Sequence, residues 1–284
     1  MVHFIPANQR RLVILATQAD TAPVLICGAQ GTGKGAIAQW IHMNGPRAGF
    51  PFVIADHNSS LVAQIPQAQG GTLLVSDLSE WPLAEQKVLL NFLRTKTVPR
   101  EGGMPMLTHI RVIATSSPGI DARAQAGLFN PELLEAMNVF RIEMPSLAER
   151  IEEFEDIVAG ILNEITRELH KQHIRSVSIE ALQHLRSYDW PGNIRELRNV
   201  LRVAVLAAKN ELIEISDLPD FGHDRVDFRA TREQFEKVYL LEILKTSKFE
   251  IDLACQMTRM TKDVLLAKIS KYGIPLEGHS PQVG

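Results

Sequence analysis

Residues 28–35 read GAQGTGKG and follow directly on the apolar run VLIC at residues 24–27. The apolar run predicts a buried strand, and the glycines predict a tight turn after it. A helix that begins at Lys34 would point its free N–H groups at an anion, which is the arrangement of a phosphate-binding loop. The stretch therefore predicts an α/β fold with an anion site where a strand ends and a helix begins.

The composition is that of an ordinary globular protein. The 284 residues are 45% hydrophobic and 22% charged, with a formal net charge of −3. A charge this small gives no general attraction to nucleic acid, so any DNA affinity must be local. The two cysteines, Cys27 and Cys255, lack the spacing of metal ligands. The start of the chain does not read as a signal peptide and no apolar run has membrane-spanning length, so a cytoplasmic protein without membrane contact is expected.

Strand-like and helix-like segments alternate in the first half of the chain, which predicts a parallel sheet with helical crossovers. From Ser146 onward helical patterns dominate, most clearly over residues 148–169 and 178–188. The strand candidates are residues 24–27, 52–55, 72–77 and 109–115, and the helix candidates between them are residues 35–43 and 83–95. The predicted domains are an α/β subdomain at 1–145, a helical subdomain at 146–222, a linker at 223–230 and a helical C-terminal domain at 231–284.

Four further segments follow the glycine-rich loop and a fifth lies near the C-terminus. They are IHMNGPRAGFPFV (41–53), GGTLLVSDL (70–78), RVIATSS (111–117), WPGNIRELRN (190–199) and AC…KYGI (254–274). Together they resemble the AAA+ domain of bacterial enhancer-binding proteins, the activators that remodel sigma-54 RNA polymerase. The last segment resembles the Fis-type helix-turn-helix of these activators. The resemblance implies an AAA+ P-loop parallel sheet with a helical lid, followed by an all-α Fis-type helix-turn-helix.

The resemblance implies ATP or ADP as the ligand of the loop. Glycines at three positions let backbone amides approach phosphate, and Lys34 supplies positive charge. Arg195 occupies the place of a lid arginine that contacts phosphates, and the alternative is that its motif only packs the lid. For the loop itself the alternative is a glycine turn with a solvated lysine. The predicted nucleotide-binding residues are Gly28, Gln30, Gly31, Thr32, Gly33, Lys34, Gly35, Asp77 and Arg195.

Some relatives of the family respond to cyclic di-GMP near the phosphate loop. By this resemblance alone, cyclic di-GMP is a second candidate ligand, with Arg10 and Arg11 as nearby cations.

Several family residues that serve ATP hydrolysis are replaced in this chain. Gly35 stands where many such loops place a Mg²⁺-binding Ser or Thr and where this family usually has Glu. The pair Ser76-Asp77 replaces the family's Asp-Glu, and Asp77 is either a retained metal or water contact or simply a carboxylate at a strand end. The remaining replacements are Asn130 and Ala136 for two arginines that reach a neighbouring subunit's nucleotide, and Ser116 and Ser117 for Thr-Asn.

These replacements predict weak or absent hydrolysis. An arginine finger contributes about 10³–10⁵ in rate, so losing it together with the metal ligand should bring turnover near background. No catalytic residue and no dedicated metal site is therefore assigned, and Mg²⁺ binding is left open.

The sigma-54-contacting loop of the family, GAFTGA, belongs to a long excursion after the second strand. Here only VIADHNSSLVAQIPQAQ, residues 53–69, connects Phe52 to Gly70. The chain is therefore not expected to remodel sigma-54 polymerase by itself.

In the C-terminal domain, residues 251–257 are predicted to form the first helix of the helix-turn-helix, and residues 261–272 the recognition helix. The predicted DNA-binding residues are Arg259, Thr261, Lys262, Lys268 and Lys271. The alternative is a helical dimerisation unit that no longer reads DNA, and the preceding segment 232–244 fits a dimer-forming helix in either case.

The leading hypothesis is a DNA-binding transcriptional regulator that assembles as a dimer or an AAA+ ring and does not depend on ATP-driven remodelling. The first alternative is a non-catalytic partner or anti-activator that joins an intact AAA+ activator, with or without RNA polymerase. The second is a slow ATPase that uses Lys34 and Asp77.

Overall fold

The computed structural model describes residues 4–98, 104–221 and 236–274, apart from residues 238, 242 and 259. The chain divides into two compact units. The first contains Met1–Ile157 and Trp190–Arg195, and the second contains Val158–Asp189 and Glu196–Gly284.

The first unit is built around a parallel five-stranded sheet. Its strands lie in the spatial order β2-β3-β6-β1-β7, so β1 is flanked by β6 and β7. The strands are β1 (Val24–Gly28), β2 (Phe52–Ala55), β3 (Thr72–Val75), β6 (Arg111–Ser116) and β7 (Phe140–Met144). All residues of β1, β3 and β6 are buried, as expected for central strands of a parallel sheet that is covered on both faces. The predicted α/β sheet is confirmed.

Helices connect and cover these strands. They are α1 (Arg10–Gln18), α2 (Lys34–Met43), α3 (Leu61–Gln64), α4 (Leu83–Thr95), α5 (Ile120–Gln125) and α6 (Pro131–Met137). The two-residue strands β4 (Thr97–Val98) and β5 (Met106–Leu107) pair antiparallel. The predicted helix at residues 83–95 has the same bounds in the structure, because its apolar positions repeat with helical periodicity.

Strand β7 was not predicted from the sequence. Its residues alternate between Ile142 and Met144, which are buried, and Glu143, which is exposed. The strand lies at the sheet edge, with Gly28 in register with Met144. An edge strand needs only one apolar face, so its short alternating pattern carries a weaker signal than the central apolar runs.

Two buried arginines lie at the amino ends of the strands. The guanidinium of Arg47 donates to the backbone oxygens of Gly70 (2.9 Å) and His109 (2.6 Å) and pairs with Asp20 (2.7 Å). Arg111 donates to the backbone oxygen of Ala16, and burial lowers the pKa of its guanidinium to about 10. These bonds help to hold the end of the sheet opposite the phosphate loop.

The second unit contains most of α7 (Phe154–Glu168), α8 (Ile179–Arg186) and most of α9 (Asn193–Ala207). The predicted helix at 148–169 is only partly correct, because residues 148–153 form a 3-10 segment in which Arg150 has non-helical angles. Ser178 caps α8, accepting from the N–H of Ala181 at 3.2 Å. Two short parallel strands, β8 (Ser176–Val177) and β9 (Leu212–Ile213), were not predicted.

The described C-terminal part of this unit consists of helices joined by short turns. Helical residues at 236–237, 239–241 and 243–246 precede α10 (Ile251–Thr258) and α11 (Lys262–Lys271). Their buried side chains form a small core of Leu240, Leu244, Ala254, Leu265, Ile269 and Ile274. The predicted linker at 223–230 lies outside the described residues. Over the part of the chain that is described, no helix has the length and hydropathy needed to cross a membrane.

Candidate functional site

The glycine-rich loop lies where the carboxyl end of β1 meets the first turn of α2. The neighbouring strand β6 ends at Ser116, and β3, next to β6, ends at Val75. Parallel strands present their carboxyl ends on one edge of the sheet. The residues that directly follow β3 and β6 therefore lie at the same edge as the loop, and they are Ser76, Asp77 and Ser117. The structure therefore brings together the phosphate loop, the acidic segment, which contains Ser76 and Asp77, and the sensor segment, which contains Ser116 and Ser117.

The loop backbone requires glycine at two of its positions. Gly31 and Gly33 have φ angles of 82° and 96°, in the left-handed region that other residues rarely adopt. A Cβ on Gly31 would also lie 2.1 Å from the carbonyl oxygen of Gly192. Thr32 is buried, and its hydroxyl donates to the backbone oxygen of Ala29 at 2.9 Å. The loop is a closely packed turn and not an open glycine cluster.

Lys34, Asp77 and Arg195 form the charged part of the site. The ammonium of Lys34 donates to the backbone oxygens of Gly28 (2.7 Å) and Ala29 (3.0 Å). Its pKa is lowered, first by burial and then by the positive charge of Arg195, while the carboxylate of Asp77 acts in the opposite direction. Three of the residues predicted for nucleotide binding therefore interact electrostatically within one unit.

Residues 190–195 contact the loop directly. The side-chain amide of Asn193 donates to the backbone oxygen of Gln30 at 2.9 Å. The N–H of Arg195 donates to the backbone oxygen of Gly31 at 3.1 Å. Trp190 is buried against Phe154, with ring centroids 6.4 Å apart. Sequence reasoning singled out Arg195 and missed Asn193, although both belong to the WPGNIRELRN motif.

A cleft of about 380 Å³ opens beside the loop. Its lining residues are Asn8, Gln9, Gly28, Ala29, Pro118, Glu143, Met144, Pro145, Ser146 and Glu149. Glu149 accepts bonds from the hydroxyl and the N–H of Ser146, both at 2.7 Å, and these bonds lower the pKa of its carboxyl. None of the residues after β7 was predicted as part of a site, because the strand that places them here was missed.

The acidic and sensor segments are linked to each other. The N–H of Asp77 donates to the hydroxyl of Thr115 at 3.0 Å, and the carboxylate is exposed. Ser116 is fully buried, and its hydroxyl donates to the backbone oxygen of Ser117 at 3.0 Å. Asp77 is thus presented at the sheet edge, whereas the Ser116 hydroxyl bonds within its own segment.

Asn130, at one of the two positions where the resemblance implies arginine, is the N-cap of α6. Its side-chain oxygen accepts from the N–H groups of Glu132 (2.9 Å) and Leu133 (3.2 Å), and Pro131 begins the helix. Its own N–H donates to the side-chain oxygen of Gln86 at 2.8 Å. Ala136, at the second position, packs against the hydrophobic core. Both positions therefore have structural roles in this chain.

Removing the N-cap side chain of α6 should measurably destabilise the protein. We expect Asn130→Ala to lower the free energy of unfolding by about 1 kcal/mol, because two N–H groups at the start of α6 lose their acceptor. Denaturant titration measures this difference. Asn138→Ala, at the exposed end of the same helix, is the matched control and should change stability by less than about 0.5 kcal/mol. Equal stability of Asn130→Ala and the native chain would rule out the capping role.

Residues 53–69 form a short connection. They comprise the end of β2, an exposed turn at residues 56–60, the short helix α3 and a 3-10 turn at Ile65–Ala68. Leu61, Ile65 and Ala68 are buried in the core of the first unit. The connection from β2 to β3 contains no projecting loop.

Metal ligands are few at this edge of the sheet. Gly35 is exposed and offers only its backbone, and Ser76 offers a hydroxyl close to Asp77. Among the residues that the structure describes, no three His, Cys, Asp or Glu side chains come together as a metal site.

The predicted DNA-binding residues differ in their surroundings. Lys262 is exposed and lies 3.2 Å from the carboxylate of Asp252. Lys268 is half-buried and pairs at 2.6 Å with Glu236, which also accepts from the hydroxyl of Tyr272 at 2.6 Å. Thr261 and Lys271 are exposed, at the N-cap and in the last turn of α11. Arg259 lies outside the described residues.

Comparison with known proteins places these features in a family. The Sigma-54 interaction domain matches residues 7–147, and the AAA+ ATPase lid domain matches residues 148–234. The chain is 30% identical over 304 residues to the transcriptional regulatory protein ZraR of Escherichia coli, covering 95% of this chain and 68% of ZraR. It is 29% identical over 282 residues to the alginate biosynthesis regulatory protein AlgB of Pseudomonas syringae, covering 89% of this chain and 62% of AlgB.

Among solved structures, NtrX from Brucella abortus is similar with a TM-score of 0.64, 22% identity and coverage of 94% of this chain and 68% of that chain. This similarity supports the fold. The chain belongs to the sigma-54 activator family of AAA+ transcriptional regulators, as the sequence predicted. It spans about three fifths of the length of AlgB.

Proposed function

We propose that this chain is a transcriptional regulator that binds a nucleotide at its phosphate loop and does not hydrolyse it efficiently. One observation carries the proposal. The loop is fully formed, with Lys34 and Arg195 beside it, while Asn130 at a family arginine position is committed to capping α6. Binding groups are retained, and a group needed for turnover is replaced by one with a structural role.

The residues present fit a nucleotide. The loop N–H groups and the N-terminus of α2 suit phosphate oxygens, and Lys34 and Arg195 supply positive charge. The cleft of about 380 Å³ beside Gly28 and Ala29 has room for the rest of the molecule. ATP and ADP are the first ligands to test, since structures of NtrX contain one or the other. Cyclic di-GMP is the second, because Arg10 and Arg11 are exposed at the start of α1.

Among the residues that the structure describes, Asp77 is the carboxylate that interacts electrostatically with the loop lysine. Gly35 has no side chain and Ser76 carries no charge. Mg²⁺ bound with a nucleotide neutralises charge on the phosphate oxygens. We propose that nucleotide binding here depends less on Mg²⁺ than in relatives that have the Asp-Glu pair.

Small molecules that co-purify with the chain provide the first test. Mass spectrometry of the material released on denaturation should show ATP, ADP or cyclic di-GMP, and titration of the emptied protein with each should identify the tightest ligand. A chain that retains none and binds none of the three would contradict nucleotide control.

Independence from sigma-54 remodelling is a second part of the proposal. Residues 53–69 form compact structure and leave no chain for the family's sigma-54-contacting loop. We expect assembly of the AAA+ body, as a dimer or a ring, to regulate transcription through DNA or RNA polymerase contacts and not through ATP-driven force.

DNA binding is proposed for residues 231–274. We expect Lys262→Ala to weaken binding to promoter DNA and to reduce the slope of log K against log salt by about 1, because an exposed lysine can neutralise one phosphate. Lys268→Ala should change this slope much less, since Lys268 is half-buried and pairs at 2.6 Å with the half-buried Glu236, whereas Lys262 and its partner Asp252 are both exposed and 3.2 Å apart. Gel-shift titrations at several salt concentrations measure both slopes. Equal slopes for the two variants and the native chain would favour the helical dimerisation alternative.

The replaced arginines also favour a second candidate function. Since family arginines act on the nucleotide of a neighbouring subunit, a chain with Asn130 and Ala136 would inactivate the neighbouring site when it joins the ring of an intact activator. Such an anti-activator should co-purify with a full-length activator and reduce its ATP turnover. The third candidate, a slow ATPase using Lys34 and Asp77, is tested by phosphate release.

A further inference from the structure

Asn193 is a buried polar side chain that bonds to the phosphate loop. It is 3% exposed, and its side-chain oxygen accepts from the N–H of Leu147 at 2.8 Å while its side-chain nitrogen donates to the oxygen of Gln30 at 2.9 Å. An N–H can only donate and a carbonyl can only accept, so these two partners fix which way the amide points. A φ of 54° and a 2.7 Å bond from its N–H to the oxygen of Trp190 fix the backbone.

The partner of this amide, the Gln30 carbonyl, belongs to the peptide that also contains the Gly31 N–H. A trans peptide holds its C=O and its N–H on opposite sides. A donor that holds the Gln30 carbonyl against residues 190–195 therefore turns the Gly31 N–H the other way. A carbonyl free to rotate could instead face a bound phosphate and repel it.

We propose that Asn193 is a positioning residue that sets the peptide orientation of the phosphate loop for anion binding, an inference that rests on the proposed nucleotide binding. A second hydrogen bond to the loop, from the N–H of Arg195 to the backbone oxygen of Gly31, comes from a residue only two positions after Asn193. Because Asn193 is also the first residue of α9, the same side chain fixes the start of this helix relative to the loop.

Two variants separate the donor from the rest of the side chain. Asn193→Asp keeps an acceptor for Leu147 and a residue type that tolerates positive φ, but its carboxylate cannot donate to Gln30. Asn193→Gly keeps the backbone conformation, adds no charge and loses both side-chain bonds. Circular dichroism and thermal melting establish that each variant folds, and Asn193→Gly carries the test alone if Asn193→Asp does not fold.

The measurement is calorimetric titration with ATP at pH 8 and pH 5. At pH 8 we expect both variants to bind about 10- to 100-fold more weakly than the native chain. Burial at this position should raise the pKa of the introduced carboxyl, so that more of it is protonated, and able to donate to Gln30, at pH 5 than at pH 8. The affinity of Asn193→Asp relative to the native chain should therefore recover at pH 5, whereas the relative affinity of Asn193→Gly should not change. Asn138→Asp, an exposed asparagine with the same charge change, should match the native chain at both pH values.

The outcomes of these titrations test the positioning role of Asn193 separately from the proposed nucleotide binding. Native-like ATP affinity of Asn193→Gly at pH 8 would overturn the positioning role and leave nucleotide binding intact. A native chain that binds no ATP would overturn the inference, and a native chain that binds none of ATP, ADP and cyclic di-GMP would also contradict the proposed function. Recovery of Asn193→Asp at pH 5 together with native-like binding by Asn193→Gly would show charge repulsion alone and would also overturn the role.

Discussion

Gly31→Ala is expected to lower the free energy of unfolding by about 2–5 kcal/mol, the sum of two contributions. The first contribution is the left-handed backbone angle of 82°, which costs a residue with a Cβ about 1–2 kcal/mol. The second is the contact of the new Cβ with the carbonyl oxygen of Gly192 at 2.1 Å, a backbone atom that cannot rotate away. Overpacking of this kind costs about 1–3 kcal/mol.

Gly35→Ala is the matched control, four residues further along the chain in the first turn of α2. A Cβ on Gly35 would meet nothing within 4 Å, and its backbone is helical. Alanine should therefore stabilise the chain by about 0.5–1 kcal/mol. Denaturant unfolding of both variants tests the packing of the loop against residues 190–195. Similar stability of the two variants would mean that Gly31 and Gly192 are not in contact.

Lys34→Ala is expected to weaken ATP binding by about 100-fold, since a hydrogen bond to a charged group contributes about 1.5–3 kcal/mol and the ammonium can reach more than one phosphate oxygen. Lys87→Ala removes the same charge from an exposed position of α4 and should bind as the native chain does. Calorimetry or fluorescence titration measures both affinities. If Lys34→Ala bound ATP normally, the loop would be only a glycine turn.

The pH dependence of binding provides an independent check on the same lysine. Burial lowers the pKa of Lys34 below the ordinary 10.5, and only its protonated form attracts phosphate. ATP affinity should therefore fall as the pH rises through this lowered pKa, earlier than an exposed lysine would allow. The Lys34→Ala variant should lack this decline. A native affinity that stays constant up to pH 10.5 would contradict the assignment of Lys34 as the phosphate-binding cation.

Patterns local in sequence predicted much of this structure. The loop after VLIC, the helix beginning at Lys34 and the helix at residues 83–95 are all confirmed. Each has a strong local cause, such as an apolar run that fills a central strand or apolar residues at helical spacing. The family resemblance, which depends on several motifs in order, is confirmed by the match over residues 7–147.

Contacts between distant parts of the chain were not predictable in this way. Asn193 bonds to Gln30 across more than 160 residues, and Asn130 bonds to Gln86 across 44. The cleft residues Glu143 and Glu149 depend on β7, whose charged residues face solvent at the sheet edge. No single segment encodes such contacts, because they arise only when the sheet order is formed.

The fate of bound ATP is the most direct test of the central claim that binding persists without turnover. The purified chain is incubated with ATP and Mg²⁺, the bound nucleotide is identified, and phosphate release is followed with Lys34→Ala as the blank. We expect the native chain to retain ATP and its phosphate release to equal that of Lys34→Ala. Sustained multiple-turnover release by the native chain that Lys34→Ala abolishes would contradict the claim.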